Sequence, residues 1–319
     1  MTQYTSIYHL LEERAAQSPD APVIHSPGRP PLTYGRLCRH VEAVVQTLRT
    51  MGLGRHDRVA VILPQGLEMA VAFLAIAAGA TCVPLNPSYS ADELQRYLAE
   101  LHANALLLQT GIESPARTVA QAQGLRLIDL SPCLEAEAGL FTLSSTAPAP
   151  TVGDGFAQPD DVALVLQTSG TTAQPKIALL THRTLCQWAH DVRQALALVA
   201  HDRCLNVMPL FHGHGLLVTT VAPLVAGASI VYTSGFSAAQ FFARLDEFRP
   251  TWYSASPTIH QAVLASAASY HEIIARCPLR FIRSSSAPLA PRVLTELERV
   301  FCTPVIEAYG LTELHVQGV

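Results

Sequence analysis

Short apolar runs alternate with stretches of helical periodicity along almost the whole chain, and this alternation constrains the fold more than any other feature. RVAVIL (58–63) reads as a buried strand, GLEMAVAFLAIAAGA as a helix and TCVPL as the next strand. Ser90 with Glu93 forms the pattern of a capping box at the start of a further helix. Upstream, Ile7, Leu10, Leu11 and Ala15 give an amphipathic helix, and Leu37, Val41, Val44 and Leu48 give another behind a Thr33 cap. Strands are expected near 105–108, 126–130, 162–167, 203–208, 229–232, 251–255, 280–283 and 304–308. The pattern predicts an α/β fold of stacked, mainly parallel sheets flanked by helices.

Residues 131–159 turn to Pro, Ser, Thr, Gly and Ala without a sustained period, which predicts an extended connection. A boundary there separates a first α/β subdomain with N-terminal helices, 1–150, from a second that bears the candidate loops, 159–319. The uncharged stretch 215–243 is long enough to raise the question of a membrane span. Pro223, Gly227 and the polar TSG at 233–235 instead break it into a short helix, a strand and a turn.

The chain is 49% hydrophobic and 14% charged, a composition that suits a large buried core rather than disorder. Lys plus Arg number 21 against 25 Asp plus Glu with no basic block, so a nucleic-acid partner is not expected. The seven cysteines are scattered singly without a CxxC pair, which argues for a reducing compartment. Glu12, Glu13 and Arg14 stand where an export signal would need its apolar core, and a cytoplasmic location is the resulting expectation.

Parallel sheets bind ligands at the carboxyl ends of their strands. Four loops occupy such ends: TSGTTAQPK, PLFHGHG, SSSAP and YGLTE. In the first, Thr168, Ser169, Gly170, Thr171, Thr172 and Lys176 combine hydroxyls, a flexible glycine and a cation, the mixture that polyphosphate recognition needs. It is not a Walker loop, and on its own it is equally a polar turn between strands. His212 and His214 flank Gly213; without clustered Cys, Asp or Glu, this H-x-H pair is weak evidence for a metal.

Together, TSGTTAQPK and YGLTE resemble the paired motifs of the adenylate-forming superfamily, whose members include acyl-CoA synthetases, peptide-synthetase adenylation domains and luciferases. Two glycines common in the family's first loop are replaced here by Ala173 and Ile177. The resemblance implies that Lys176 and the loop hydroxyls contact the triphosphate of ATP. It further implies that Tyr309 packs on adenine, Thr312 meets the α-phosphate and Glu313 holds Mg²⁺, while Ala308 and Gly310 complete that contact. Ser285, Ser286, Ala287 and Pro288 align with a turn that presents backbone to adenine, and Glu307 stands two residues before the tyrosine. His212 falls where relatives border the acyl pocket.

Relatives that activate amino acids usually carry Phe-Asp where this sequence has Phe211-His212, so a small carboxylic acid without an α-amine is the expected substrate. The resemblance thus implies the large N-terminal domain of the adenylate-forming fold, truncated before the C-terminal domain. The implied enzyme forms an acyl-adenylate and pyrophosphate, then passes the acyl group to CoA or to the phosphopantetheine thiol of an acyl carrier protein. Val319 lies six residues beyond Glu313, short of the family's ribose-binding aspartate and C-terminal lysine, so no turnover is expected of this chain alone. An amino-acid adenylation domain and a non-catalytic binding module are the alternatives.

Overall fold

The structure is a computed structural model that describes residues 4–145, 150–153, 155–168, 176–311 and 316–318. In chain order its strands are β1 (Pro22–Ser26), β2 (Arg29–Thr33), β3 (Arg58–Ile62), β4 (Thr81–Pro84), β5 (Ala105–Gln109), β6 (Arg126–Pro132), β7 (Phe141–Ser144), β8 (Val162–Thr168), β9 (Lys176–Thr181), β10 (Arg203–Asn206), β11 (Ser229–Tyr232), β12 (Trp252–Ala255), β13 (Phe281–Ser284), β14 (Val305–Glu307), β15 (Tyr309–Leu311) and β16 (Val316–Gly318). They form two seven-stranded sheets and one two-stranded antiparallel sheet. The chain divides into two compact units, Met1–Ala21 with Leu32–Gln187 and Pro22–Pro31 with Trp188–Val319.

The first unit is built on the sheet β7-β6-β5-β3-β4-β8-β9, parallel at its centre and antiparallel at both edges. Helix Leu67–Gly79 is buried from Met69 onward and has no polar face, as its unbroken apolar sequence requires. The caps fall where the sequence places them: Thr33 Oγ1 accepts from Arg36 N–H at 3.3 Å. Ser90 and Glu93 exchange both bonds of a capping box, which satisfies two backbone donors that a helix start would otherwise leave orphaned. The stretch expected to be an extended connection contains β7, paired antiparallel with β6, and β8 pairs with β4 of the same sheet. The break between compact units therefore comes at Gln187/Trp188, well after the boundary expected from composition, because strand pairing holds β8 and β9 with the first sheet.

The second unit is built on the sheet β14-β13-β12-β10-β11-β1-β2, parallel from β14 through β1. On one face Leu205, Tyr253 and Ile282 join Phe241, Phe242, Leu245, Val263, Leu297 and Phe301 from helices Ala238–Phe248, Pro257–Ala267 and Pro291–Phe301 in a continuous apolar core. At the amino ends of the strands Arg280 clamps Asp202 through two hydrogen bonds of 3.1 and 2.9 Å, and Thr251 Oγ1 donates to the same carboxylate at 2.7 Å. The uncharged stretch resolves into a π-helix His214–Val221, a short helix Ala222–Ala226 and β11. No helix among the described residues is long and apolar enough to cross a membrane.

Candidate active site

Interior strands of a two-sided parallel sheet are normally apolar throughout. Near the carboxyl end of the second sheet the rule is broken in one row. Asn206, Ser254 and Arg283 stand level on adjacent strands β10, β12 and β13, with Tyr232 beside Asn206 on β11. All four are buried, and they lie on the face opposite Leu205, Tyr253 and Ile282. Burying polar groups costs free energy unless each finds a partner, so such a row calls for a covering element that supplies them.

The π-helix His214–Val221 supplies part of that cover. Gly215 in its first turn lies so close to the loop before it that an added Cβ would sit 2.2 Å from the Pro209 carbonyl oxygen. Only glycine allows this approach. The Gly215 carbonyl accepts from Thr219 Oγ1 and Thr220 Oγ1, each at 2.9 Å, and from Asn206 Nδ2 at 3.4 Å. Thr220 also shares a 2.9 Å bond with the Tyr232 hydroxyl. π-turns widen the backbone ladder and occur at functional sites, where they aim side chains that a regular α-helix would not. Here the first residue so aimed is His214. Its Nε2 lies 2.6 Å from Ser254 Oγ and its Nδ1 2.9 Å from Ser286 Oγ, while Arg283 Nη1 reaches Ser254 Oγ at 3.3 Å and His214 Nε2 at 3.4 Å.

Burial, reinforced by the Arg283 charge, holds His214 well below the ordinary histidine range, so the imidazole is neutral at pH 7. Burial draws Arg283 down to about 10, which leaves it protonated there. The two groups thus pair a cation with a neutral acceptor.

The turn after β13 faces the same strand ends. Ser285 N–H donates to the Ala255 carbonyl at 3.2 Å, and Ala308 N–H donates to the Ser284 carbonyl at 2.9 Å. Glu307 is exposed, and its Oε1 accepts from Leu289 N–H at 3.1 Å, so this carboxylate braces the turn. Ser286, Ala287 and Pro288 are exposed. Ser286 holds a left-handed φ of +77°, a conformation that costs a non-glycine residue on the order of 1 kcal/mol and that persists only where surroundings fix it. The Ser284 hydroxyl is fully buried without a hydrogen-bond partner. Tyr309 is 74% exposed, leaving its ring face open for stacking.

In the second unit bonds to the residues on either side of the turn 285–288 bring it beside the segment 307–308: Ala308 is tied to Ser284 and Glu307 to Leu289, with Tyr309 and Gly310 following directly in β15. His212 is exposed and lies against the Phe211 ring at 4.4 Å, whereas its neighbour His214 enters the polar row. In the first unit Thr168 ends β8, Lys176 begins β9 and the two are register partners, with the lysine exposed. Ser169, Gly170, Thr171 and Thr172 lie outside the described residues, as do Thr312 and Glu313. No group of three His, Cys, Asp or Glu side chains among the described residues could hold a metal ion. His214, Ser254 and Arg283 carried a signal in the sequence: each is a polar residue interrupting an apolar run or beginning an uncharged one, as in WYSA and RFIRS.

Two mainly parallel sheets with glycine- and hydroxyl-rich loops at their carboxyl ends define the large domain of the adenylate-forming fold. Residues 11–319 match the AMP-binding enzyme family, and the chain belongs to it. Over 313 residues, 95% of this chain, it is 38% identical to an oxalate–CoA ligase of Arabidopsis thaliana. It is 33% identical to a sulfoacetate–CoA ligase of Cupriavidus necator across 97% of its length. The chain spans about 60% of the length of each of these curated relatives. Among solved structures, ATP-bound MatB of Rhodopseudomonas palustris shares the fold, with a TM-score of 0.83 and 24% identity over 98% of this chain and 61% of that one.

Proposed function

We propose that the chain carries the acid-activating part of an ATP-dependent acid–thiol ligase acting on a small carboxylic acid. The match of residues 11–319 to the AMP-binding enzyme family carries this reading, supported by relatives named as CoA ligases. In the activation step one carboxylate oxygen bonds to the α-phosphorus of ATP as the bond to the bridging oxygen breaks. The products are an acyl-adenylate and pyrophosphate. A thiolate, of CoA or of a carrier protein's phosphopantetheine, then attacks the acyl carbon and AMP leaves.

The protein's task in such chemistry is positional and electrostatic. Lys176 and the hydroxyls of Thr168, Ser169, Thr171 and Thr172 offset charge as pyrophosphate departs, with Gly170 allowing the backbone to curl around it. The Tyr309 ring stacks on adenine, while Ser285–Pro288 and Ala308–Gly310 offer backbone groups to its edge, and Glu307 fixes their turn. Thr312 meets the α-phosphate. Glu313 supplies the hard oxygen donor that Mg²⁺ prefers, and the ion when bound offsets phosphate charge. His212 borders the acid side of the site.

The test is ATP–pyrophosphate exchange by the longest natural form of the protein across a panel of small carboxylic acids and amino acids. Exchange with acids that lack an α-amine is the expected result. Exchange driven best by an amino acid, or by none of the panel, would overturn the reading.

A further inference from the structure

Of the 21 lysine and arginine side chains, 20 are arginine and one, Lys176, is lysine. The fold does not demand this bias. Arg39 and Arg292 are exposed on helices Tyr34–Thr50 and Pro291–Phe301, where lysine has an equal helix propensity and would serve as well. What the bias removes is amine. Arginine stays protonated in proteins and offers no nucleophilic nitrogen, whereas lysine is the residue on which acyl groups are fixed. Side-chain amine chemistry is thus confined to one position, the start of β9, in register with Thr168 at the end of β8 and with its side chain exposed. Thiols compete little. Five of the seven cysteines are buried, and burial pushes Cys38 and Cys186 up to about 12. A thioester formed on the exposed Cys302 would exchange with other thiols, but an amide on lysine would stay.

We propose that Lys176 is a self-acylation site: when no thiol takes the activated acyl group, the chain's own acyl-adenylate transfers it to Lys176 Nζ and silences the phosphate loop. This rests on the acid-activation reading above. An acyl-adenylate is a mixed anhydride, an electrophile toward amines as well as toward the thiol that consumes it. While ATP is bound, the ammonium is engaged by triphosphate oxygens and is no nucleophile. Departure of pyrophosphate removes those partners at the moment the acyl-adenylate exists. Once Nζ has lost a proton to water, it attacks the acyl carbon. The N–C bond forms as the bond from that carbon to the phosphate oxygen breaks, AMP leaves with the electron pair, and a second nitrogen proton passes to water. The product is a neutral amide, which cannot make the charge-assisted contact to the next triphosphate. The site is therefore stopped in proportion to the acyl-adenylate it fails to hand on. The 20 arginines complete the device, because lysines in their places would let the same electrophile spend itself on the surface without effect on the site.

The experiment treats the protein with acetyl-adenylate, strips thioesters with hydroxylamine and locates acetyl groups by peptide mass spectrometry. The N-terminal amine of the same chain is the internal reference, since α-amines carry more free base at neutral pH and react first where nothing directs the reagent. The expected result is acetylation of Lys176 at least about tenfold faster than of that amine, as binding beside the reagent allows, with ATP slowing Lys176 about tenfold and leaving the reference rate alone. Lys176→Arg keeps the cation and removes the amine, and should acquire acetyl at the N-terminus alone. The acetylated parent should bind ATP about tenfold more weakly in calorimetric titrations. Acetylation of Lys176 no faster than of the N-terminus overturns the proposal, and so does a Lys176 rate indifferent to ATP, which would mark the lysine as merely accessible. Pyrophosphate exchange by the longest natural form of the protein separates this inference from its foundation. Exchange with small acids alongside an undirected Lys176 refutes only self-acylation, whereas no exchange with any acid refutes acid activation and removes the source of the acyl group.

Discussion

Gly215→Ala offers a stringent test of the geometry around the π-helix. The new Cβ would meet the Pro209 carbonyl oxygen at 2.2 Å, the Pro209 carbonyl carbon at 2.9 Å and the Met208 carbonyl oxygen at 3.1 Å. All three are backbone atoms, so no rotamer change relieves the overlap. The Pro209 segment or the first turn of the π-helix must move by about 1 Å, and overpacking of this kind costs about 1–3 kcal/mol. Displacing the turn also draws the Gly215 carbonyl from Thr219, Thr220 and Asn206 in a fully buried setting, which places the cost toward the upper end. For a folding unit of this size each kcal/mol lowers the melting temperature by about 2–4 °C, so a fall of roughly 4–12 °C is expected. Gly153→Ala is the matched control, because a Cβ there meets nothing within 4 Å and should stay within about 0.5 kcal/mol of the parent. Differential scanning calorimetry on both variants decides the matter. Indistinguishable melting of the two would mean that the close approach of Gly215 to Pro209 does not exist in solution.

Lys176→Ala should weaken ATP about tenfold or more while leaving adenosine nearly unchanged, since only the triphosphate offers a charge-assisted partner; calorimetry with both ligands reads the difference. Glu313→Gln should abolish the Mg²⁺ dependence of ATP binding without loss of the circular dichroism of the fold, and an unaltered Mg²⁺ titration would remove Glu313 from the metal. Acidification should destabilise the protein through His182 and His260, both pushed down to about 4 by burial from an ordinary value of 6.5. Because the folded state binds fewer protons, the stabilisation is complete above about pH 6.5 and is lost as pH falls toward 4, at up to about 1.4 kcal/mol per pH unit for each histidine. The same sign follows from geometry at His182, whose Nδ1 accepts from Ile7 N–H and would surrender that role on protonation. Urea midpoints that do not change between pH 7 and pH 5 would contradict both assignments.

The strands and caps were legible because each rests on local chemistry. The valines, alanine and isoleucine of RVAVIL are apolar on both sides, as strands covered on both faces must be, and Ser90 with Glu93 satisfies its own backbone donors. The division between units was not legible, because the pairing of β8 with β4 depends on register across some eighty residues rather than on the composition of the intervening loop. At the site, the loops could be found by their unusual residues, and Glu307 was singled out although its bond to Leu289 N–H could not be foreseen. His214 was harder. In sequence it is one half of an H-x-H pair, and only the π-helical first turn, with Gly215 against Pro209, sends it inward while His212 stays outside. Arg283 shows the reverse: a cation one position from the end of an apolar strand is visible in the sequence, but its meaning comes from Ser254 standing level with it on the neighbouring strand.

The placement of β1 at the far side of the second sheet has a consequence for synthesis. Ile24 pairs with Ile230, so this strand leaves the ribosome about two hundred residues ahead of its partner. At translation rates of roughly 5–20 residues per second that interval is on the order of ten to forty seconds. Through it an apolar strand and its hairpin mate must stay soluble with their sheet edge unpaired, the condition in which chains recruit one another. The polar Ser26 and the two prolines of β2, Pro30 and Pro31, suit that interval, because proline removes a backbone donor from an edge that a foreign strand would otherwise extend. This hairpin is thus sequenced as much for its wait as for its destination.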